Sequence, residues 1–105
     1  MSSLHKQEQT VVHALEFQVK AKKEFDKLPG QLRLQLLKKL KERLSNPRVE
    51  KDRLSGMPDC YKIKLKSWGY RLVYQVIDQR VVVTVIAVGK RERGDVYDAA
   101  HSRLM

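Results

Sequence analysis

Cys60-Tyr61-Lys62-Ile63-Lys64-Leu65-Lys66, then Ser67-Trp68-Gly69, then Tyr70-Arg71-Leu72-Val73-Tyr74-Gln75-Val76-Ile77: this run decides how the chain folds. Apolar and basic residues alternate in its first piece. Successive side chains on a strand point to opposite faces, so Tyr61, Ile63 and Leu65 go one way and Lys62, Lys64 and Lys66 the other. At a rise of about 3.3 Å per residue, these lysines leave the backbone roughly 6.6 Å from one another. Like charges at that spacing repel unless something anionic sits among them.

The short link predicts a hairpin. With Trp68-Gly69 as its two-residue turn, Lys66 faces Arg71, Leu65 faces Leu72 and Lys64 faces Val73. That register sends Arg71 to the lysine face and lets both strands bury the same side, an agreement a one-residue slip would destroy. Past Asp78-Gln79-Arg80, residues 81–88 are apolar on both faces, which suits an interior strand covered on both sides.

Working outward, residues 1–10 are polar and aperiodic, so 1–12 reads as a flexible tail ahead of a single domain over 13–105. Residues 11–17 are a strand candidate with Val11, His13, Leu15 and Phe17 on one face. Ala21, Phe25 and Leu28 recur at helical spacing until Pro29-Gly30 breaks the pattern. Residues 31–46 place Leu32, Leu36, Leu37, Leu40 and Leu44 on one stripe and Arg33, Lys38, Lys39, Lys41 and Arg43 elsewhere, an amphipathic helix ending before Pro47. A loop over 47–59 returns the chain to the hairpin. After Gly89, residues 91–104 read as a last helix, marked near its start by Gly94, with Val96, Ala99, Ala100 and Leu104 inward. The sum is an α+β domain of order β-α-α-β-β-β-α, its mainly antiparallel sheet carrying two N-terminal helices on one face.

The chain has 105 residues, enough to bury a core without disulfides or metal. Lys and Arg number 22 against 12 Asp and Glu, a net charge of +10. Such an excess points to a polyanionic partner, either nucleic acid or an acidic protein, without choosing between them. One cysteine, Cys60, excludes an internal disulfide and suggests a reducing compartment. No stretch approaches the ~20 apolar residues of a membrane span, and residues 1–10 have no apolar signal core. The cytoplasm is the default, with no membrane partner.

A charged outer sheet face is ordinary, and lysines discourage edge pairing. Three features argue for more. Arg71 joins the same face, Lys90, Arg91 and Arg93 lie where the last strand ends, and Tyr97 follows within two helical turns. Converging cations beside an aromatic ring suit a phosphodiester with a stacked base, although Tyr97 taken alone reads as a half-buried helix residue. His5, His13 and His101 lie near the termini, no acid falls between Cys60 and Ile77, and no His/Cys set has metal-ligand spacing, so no metal or cofactor is expected. The usual acid/base pair has no members here. If the domain cuts RNA, a lysine must act as base, which requires surroundings that disfavour its charge, as neighbouring cations do. Lys64 is the most crowded. Lys66, Lys90, Arg93 and, on the leucine helix, Lys38 and Lys39 are candidates for contact with structured RNA.

Leu54-Ser55-Gly56-Met57-Pro58-Asp59-Cys60-Tyr61-Lys62-Ile63-Lys64-Leu65, Gly69-Tyr70-Arg71-Leu72-Val73-Tyr74-Gln75-Val76-Ile77-Asp78, Val88-Gly89-Lys90-Arg91-Glu92-Arg93 and Val96-Tyr97 resemble the RelE branch of the RelE/ParE superfamily almost residue for residue. The likeness runs from about Phe17 onward and is strongest from Leu54 to Tyr97. It implies a microbial-ribonuclease-like domain and a type II toxin that cleaves mRNA in the A site of the 70S ribosome. In that family the 2′-oxygen attacks the adjacent phosphate and leaves a 2′,3′-cyclic phosphate and a 5′-hydroxyl. By motif position, Lys64 resembles the group that takes the 2′ proton, with Lys62 and Arg71 on the phosphate, Arg91 at the leaving oxygen and Tyr97 stacked on a base. A guanidinium is a poor proton donor, so electrostatic stabilisation suits Arg91 better. The resemblance also implies a RelB-like antitoxin, with operator DNA reached only through it. Ser55 stands where a basic residue is expected, and Trp68 replaces a small residue in the turn. Two competing readings are a non-catalytic RNA-binding module and a same-fold toxin with another target, such as gyrase.

Overall fold

The protein is described by a computed structural model over residues 11–105; the expected tail, as far as residue 10, lies outside them. Strands β1 (Ala14–Phe17), β2 (Cys60–Leu65), β3 (Tyr70–Ile77) and β4 (Val82–Lys90) form one sheet in the order β1-β4-β3-β2. β1 runs parallel to β4, and the other two pairings are antiparallel. β4 is therefore interior, as its two apolar faces require. It begins at Val82 and runs to Lys90, displaced from the expected 81–88, because Val81 takes a left-handed backbone with φ 55°. Between the Val73–Ala87 and Tyr74–Val85 pairs the register skips Ile86, a bulge. The extra residue reverses the alternation. Val83 and Val85 enter one core, whereas Ile86 and Ala87 both enter the other.

Helices α1 (Val19–Asp26) and α2 (Gly30–Leu44) cover one face. The Gln18 side chain caps α1 by accepting the N–H groups of Lys20 and Ala21 at 2.9 and 3.1 Å. Ala21, Phe25, Leu32, Leu36 and Leu40 pack there against Tyr61, Ile63, Leu65, Leu72 and Tyr74. The opposite face is partly covered by α3 (Asp95–Leu104), whose Val96 and Ala100 meet Cys60, Val73, Ile86 and Ala87. α3 begins later than the expected Arg91. A 3-10 turn, Glu92–Gly94, intervenes, and within it Arg93 and Gly94 have φ of 54° and 71°, which no right-handed helix can pass through.

Two further expectations need correction. The hairpin does not turn on Trp68-Gly69 alone: Leu65 pairs with Tyr70, leaving Lys66 through Gly69 as a four-residue loop closed by bonds from Trp68 N–H to Leu65 O and Gly69 N–H to Lys66 O, each 3.2 Å. Lys64, not Lys66, thus faces Arg71. The shift is by two, so every side chain keeps its face. Arg43 does not join the solvated side of α2. It donates to Asp52 at 2.7 Å and to the Tyr74 hydroxyl at 2.8 Å, and that hydroxyl donates to Pro47 O at 2.6 Å. The buried phenol thereby meets the bonding its burial demands.

Candidate functional site

The face beneath α3 carries Cys60, Lys62 and Lys64 on β2, Arg71 and Val73 on β3, and Ala87 and Gly89 on β4. Its central row reads Lys64–Arg71–Gly89, each opposite the next. Directly opposed Cβ atoms stand about 5 Å apart, so the Lys64 and Arg71 side chains leave the sheet side by side, with Lys62 diagonal to Arg71. Gly89 ends the row without a side chain. An added Cβ there would make an ordinary contact with Val96 Cβ at 3.7 Å, so the first turn of α3 lies directly over this end of the row and only a side chain longer than alanine's would press on it. Tyr97, next along, is half-buried against this second core.

These cations lack the carboxylate partners that several arginines hold, as do Lys20, Lys23, Lys27, Lys38, Lys39, Lys41 and Lys51 among the described residues. Arg43, Arg48, Arg80 and Arg103 each hold a carboxylate at 2.7–3.0 Å. Among the described residues, Lys62, Lys64, Lys66, Arg71, Lys90 and Arg91 hold none. Among the described residues the Arg71 side chain donates only to the neighbouring Tyr70 O, at 3.2 Å. The cations of the face are thus open to an outside anion.

Arg91 is exposed, and its backbone N–H donates to Gly69 O at 2.9 Å. That bond ties the end of β4 to the hairpin loop and sets Arg91 beside the row. Lys90 pairs with Tyr70 on β3 and is exposed. Arg93 lies further out, 4.0 Å from Asp95 and almost fully in solvent. Lys64, Lys66 and Lys39 line one open cleft of about 620 Å³ between α2 and the β2 edge, together with Lys51, Arg43 and Asp52. Lys38 is exposed on α2 and does not line it. The sheet edge thus brings Lys39 towards the lysine row and leaves Lys38 apart.

Cys60 shares the face but is fully buried, and burial together with the charge of Asp59 pushes its thiol up to about 11. A neutral thiol is no nucleophile. Among the described residues no cluster of His, Cys, Asp or Glu could hold a metal ion, and no helix is long and apolar enough to cross a membrane. The arrangement can bind a phosphodiester, stabilise charge on its oxygens and offer an amine as a base.

Sequence reasoning missed Gly89, which reads as punctuation at a strand end. It also missed Glu24 and Arg103, which lie 79 residues apart with no local pattern to join them.

Residues 15–94 match the family of ParE toxins of type II toxin–antitoxin systems, parDE. The mRNA interferase toxin RelE of Escherichia coli (strain K12) is 58% identical over 95 residues, spanning 90% of this chain and 100% of the relative. A doubly substituted E. coli RelE in the free state superposes with a TM-score of 0.84 at 56% identity, over 90% of this chain and 99% of that one. The toxin of the intact E. coli RelBE toxin–antitoxin complex matches with a TM-score of 0.75 at 62% identity, over 77% and 99%.

Proposed function

The chain belongs to the RelE/ParE family of type II toxins, and from that membership we propose that it is an mRNA interferase, a ribosome-dependent endoribonuclease that cleaves the codon in the A site. The observation that carries this reading is the row of unpaired cations with Lys64 directly opposite Arg71. Lys64 takes the 2′ proton, the 2′-oxygen attacks the adjacent phosphorus, and the bond to the 5′-oxygen breaks. The products are a 2′,3′-cyclic phosphate and a 5′-hydroxyl. Lys62 and Arg71 hold the phosphate and its developing charge. Arg91 stabilises the leaving oxygen, whose proton comes from water or from the ribosome, and Tyr97 stacks on a base. Lys66, Lys90, Arg93, Lys38 and Lys39 supply contacts to ribosomal RNA.

Such a set lacks a strong acid/base couple, which contributes about 10²–10⁴ in rate where present. Holding the message in line for attack supplies at least as much. The ribosome therefore acts as part of the active site, and free RNA is cut poorly. The E. coli relative is seen in complex with its antitoxin RelB. By the same membership this chain acts in the bacterial cytoplasm and is held silent by a RelB-like antitoxin, an acidic, partly disordered segment matched to the net charge of +10.

The test is Lys64→Ala on programmed ribosomes, with cleavage and binding read separately and product ends mapped. Loss of cleavage by orders of magnitude with ribosome affinity kept supports the enzyme. Modest loss of affinity, with no cleavage by the parent chain, identifies a binding module instead.

A further inference from the structure

β1 covers the outer edge of β4 only as far as Val85, where Gln18 N–H donates to Val85 O at 2.9 Å. Past that point two side chains take over the backbone groups. Arg103 donates to Ile86 O at 2.9 Å, and Glu24 accepts from Val88 N–H at 3.0 Å. The same two side chains meet each other in a forked pair, Nη1 to Oε1 and Nη2 to Oε2, both 2.8 Å. Glu24 belongs to α1 on one face of the sheet and Arg103 to α3 on the other. The pair reaches around the β4 edge and joins the two layers.

Resting on the proposed function, we infer that Glu24 and Arg103 are positioning residues: their clasp fixes α3, and through it Tyr97, over the cationic row. α3 has 10 residues; Val96 and Ala100 are buried, and Tyr97, Ala99 and Leu104 pack part-buried on the same core. A helix that short has little stability of its own, and these apolar contacts are non-directional, so they seat it on the sheet without preventing a pivot about its first turn. Arg103 lies at the far end from Tyr97's turn, which is where a tether best removes that pivot. A bidentate guanidinium–carboxylate pair fixes direction as well as distance. Both side chains are sheltered, at 14% and 34% exposure, so solvent weakens the pair little.

The experiment uses the full chain, with single-turnover cleavage on saturating programmed ribosomes, ribosome affinity and melting temperature measured for Arg103→Ala, Glu24→Gln, Arg103→Lys, Tyr97→Ala and the Tyr97/Arg103 double variant. Glu24→Gln keeps an acceptor for Val88 N–H and Arg103→Lys keeps the charge, so both test the fork with little disturbance of the fold. Displacing Tyr97 by about 1 Å lowers the cleavage rate by up to ~10²-fold for Arg103→Ala. Ribosome affinity stays near wild type, and Arg103→Lys regains part of the loss. Because Arg103 acts through Tyr97, the double variant is no slower than Tyr97→Ala alone. Multiplying effects in the double variant, or an unchanged rate in Glu24→Gln and Arg103→Ala, overturn the inference alone. A Tyr97→Ala chain that cleaves at the parent rate overturns the reading of the site itself, and the inference with it.

Discussion

Lys64 and Arg71 face each other across one strand pair, yet the proposed reaction asks different things of them. Lys64 has to lose a proton and Arg71 has to keep its own. Lys64→Arg separates charge from proton transfer, since a guanidinium never deprotonates in a protein. Cleavage on the ribosome is expected to fall by about 10²–10⁴ while binding holds; a rate close to the parent's would reduce Lys64 to an electrostatic role. Arg71→Ala removes a donor to the developing charge and is expected to cost about 10²–10³ in the same single-turnover assay. Arg71→Lys should recover only part, because an ammonium cannot present the planar fork. These residues were legible in the sequence because strand alternation alone sorts them onto one face. Arg43 was not. Hydrophobic spacing puts it on the polar side of α2, and only the chain's return through Asp52 and Tyr74 gives the guanidinium partners worth turning inward for. Arg43→Ala leaves the Asp52 carboxylate, 10% exposed, without its counter-ion. The expected loss is about 3 kcal/mol of stability, read as a lowered urea midpoint at unchanged slope.

At the scale of elements, the hairpin loop does more than reverse the chain. Gly69 has φ 67°, and its carbonyl receives Arg91 N–H at 2.9 Å. Its backbone conformation therefore sets where the end of β4 begins its turn towards α3. Gly69→Val forces a branched side chain into the left-handed region at about 1–2 kcal/mol. Urea unfolding should show that loss, and cleavage should fall further than Lys66→Ala makes it fall, because Arg91 shifts with the loop. The order of elements and the two-sided burial of β4 could be read from spacing, since both follow from local patterns of period 2 and 3.6. The register of the hairpin could not. Alternation fixes pairing only modulo two residues, so a two-residue and a four-residue turn bury the same side equally well, and the choice falls to the loop. The bulge at Ile86 was hidden for a related reason: in a strand apolar on both faces, an extra residue leaves no break in the pattern.

Across the whole molecule, charge is divided into two populations, one consumed internally and one left for partners. The internal set makes stability depend on acid. Burial opposes charge on Glu24, but the hydrogen bonds from Arg103 and Val88 N–H and the charge of Arg103 outweigh it and hold its carboxyl below the usual glutamate range. A carboxyl depressed in the folded state contributes stability that is complete above its unfolded value and is lost as pH falls through the folded one. Glu24→Gln should therefore melt lower than the parent at neutral pH, and the two melting temperatures should converge as acid protonates Glu24. The unpaired set makes association depend on salt. With a net charge of +10 and the lysine row, Lys90 and Arg91 free of carboxylates among the described residues, long-range attraction to ribosomal RNA is expected to speed encounter by about 10–10³ at low ionic strength. Added salt screens that attraction over a distance near the Debye length. It has much less effect once a phosphate is seated against Lys64 and Arg71. Stopped-flow association with programmed ribosomes should thus slow steeply between low and high salt, whereas single-turnover cleavage by ribosomes already occupied should change little. A cleavage step as salt-sensitive as the encounter would mean that the phosphate is not held by this row at all, and that the cations serve only to bring the two molecules together.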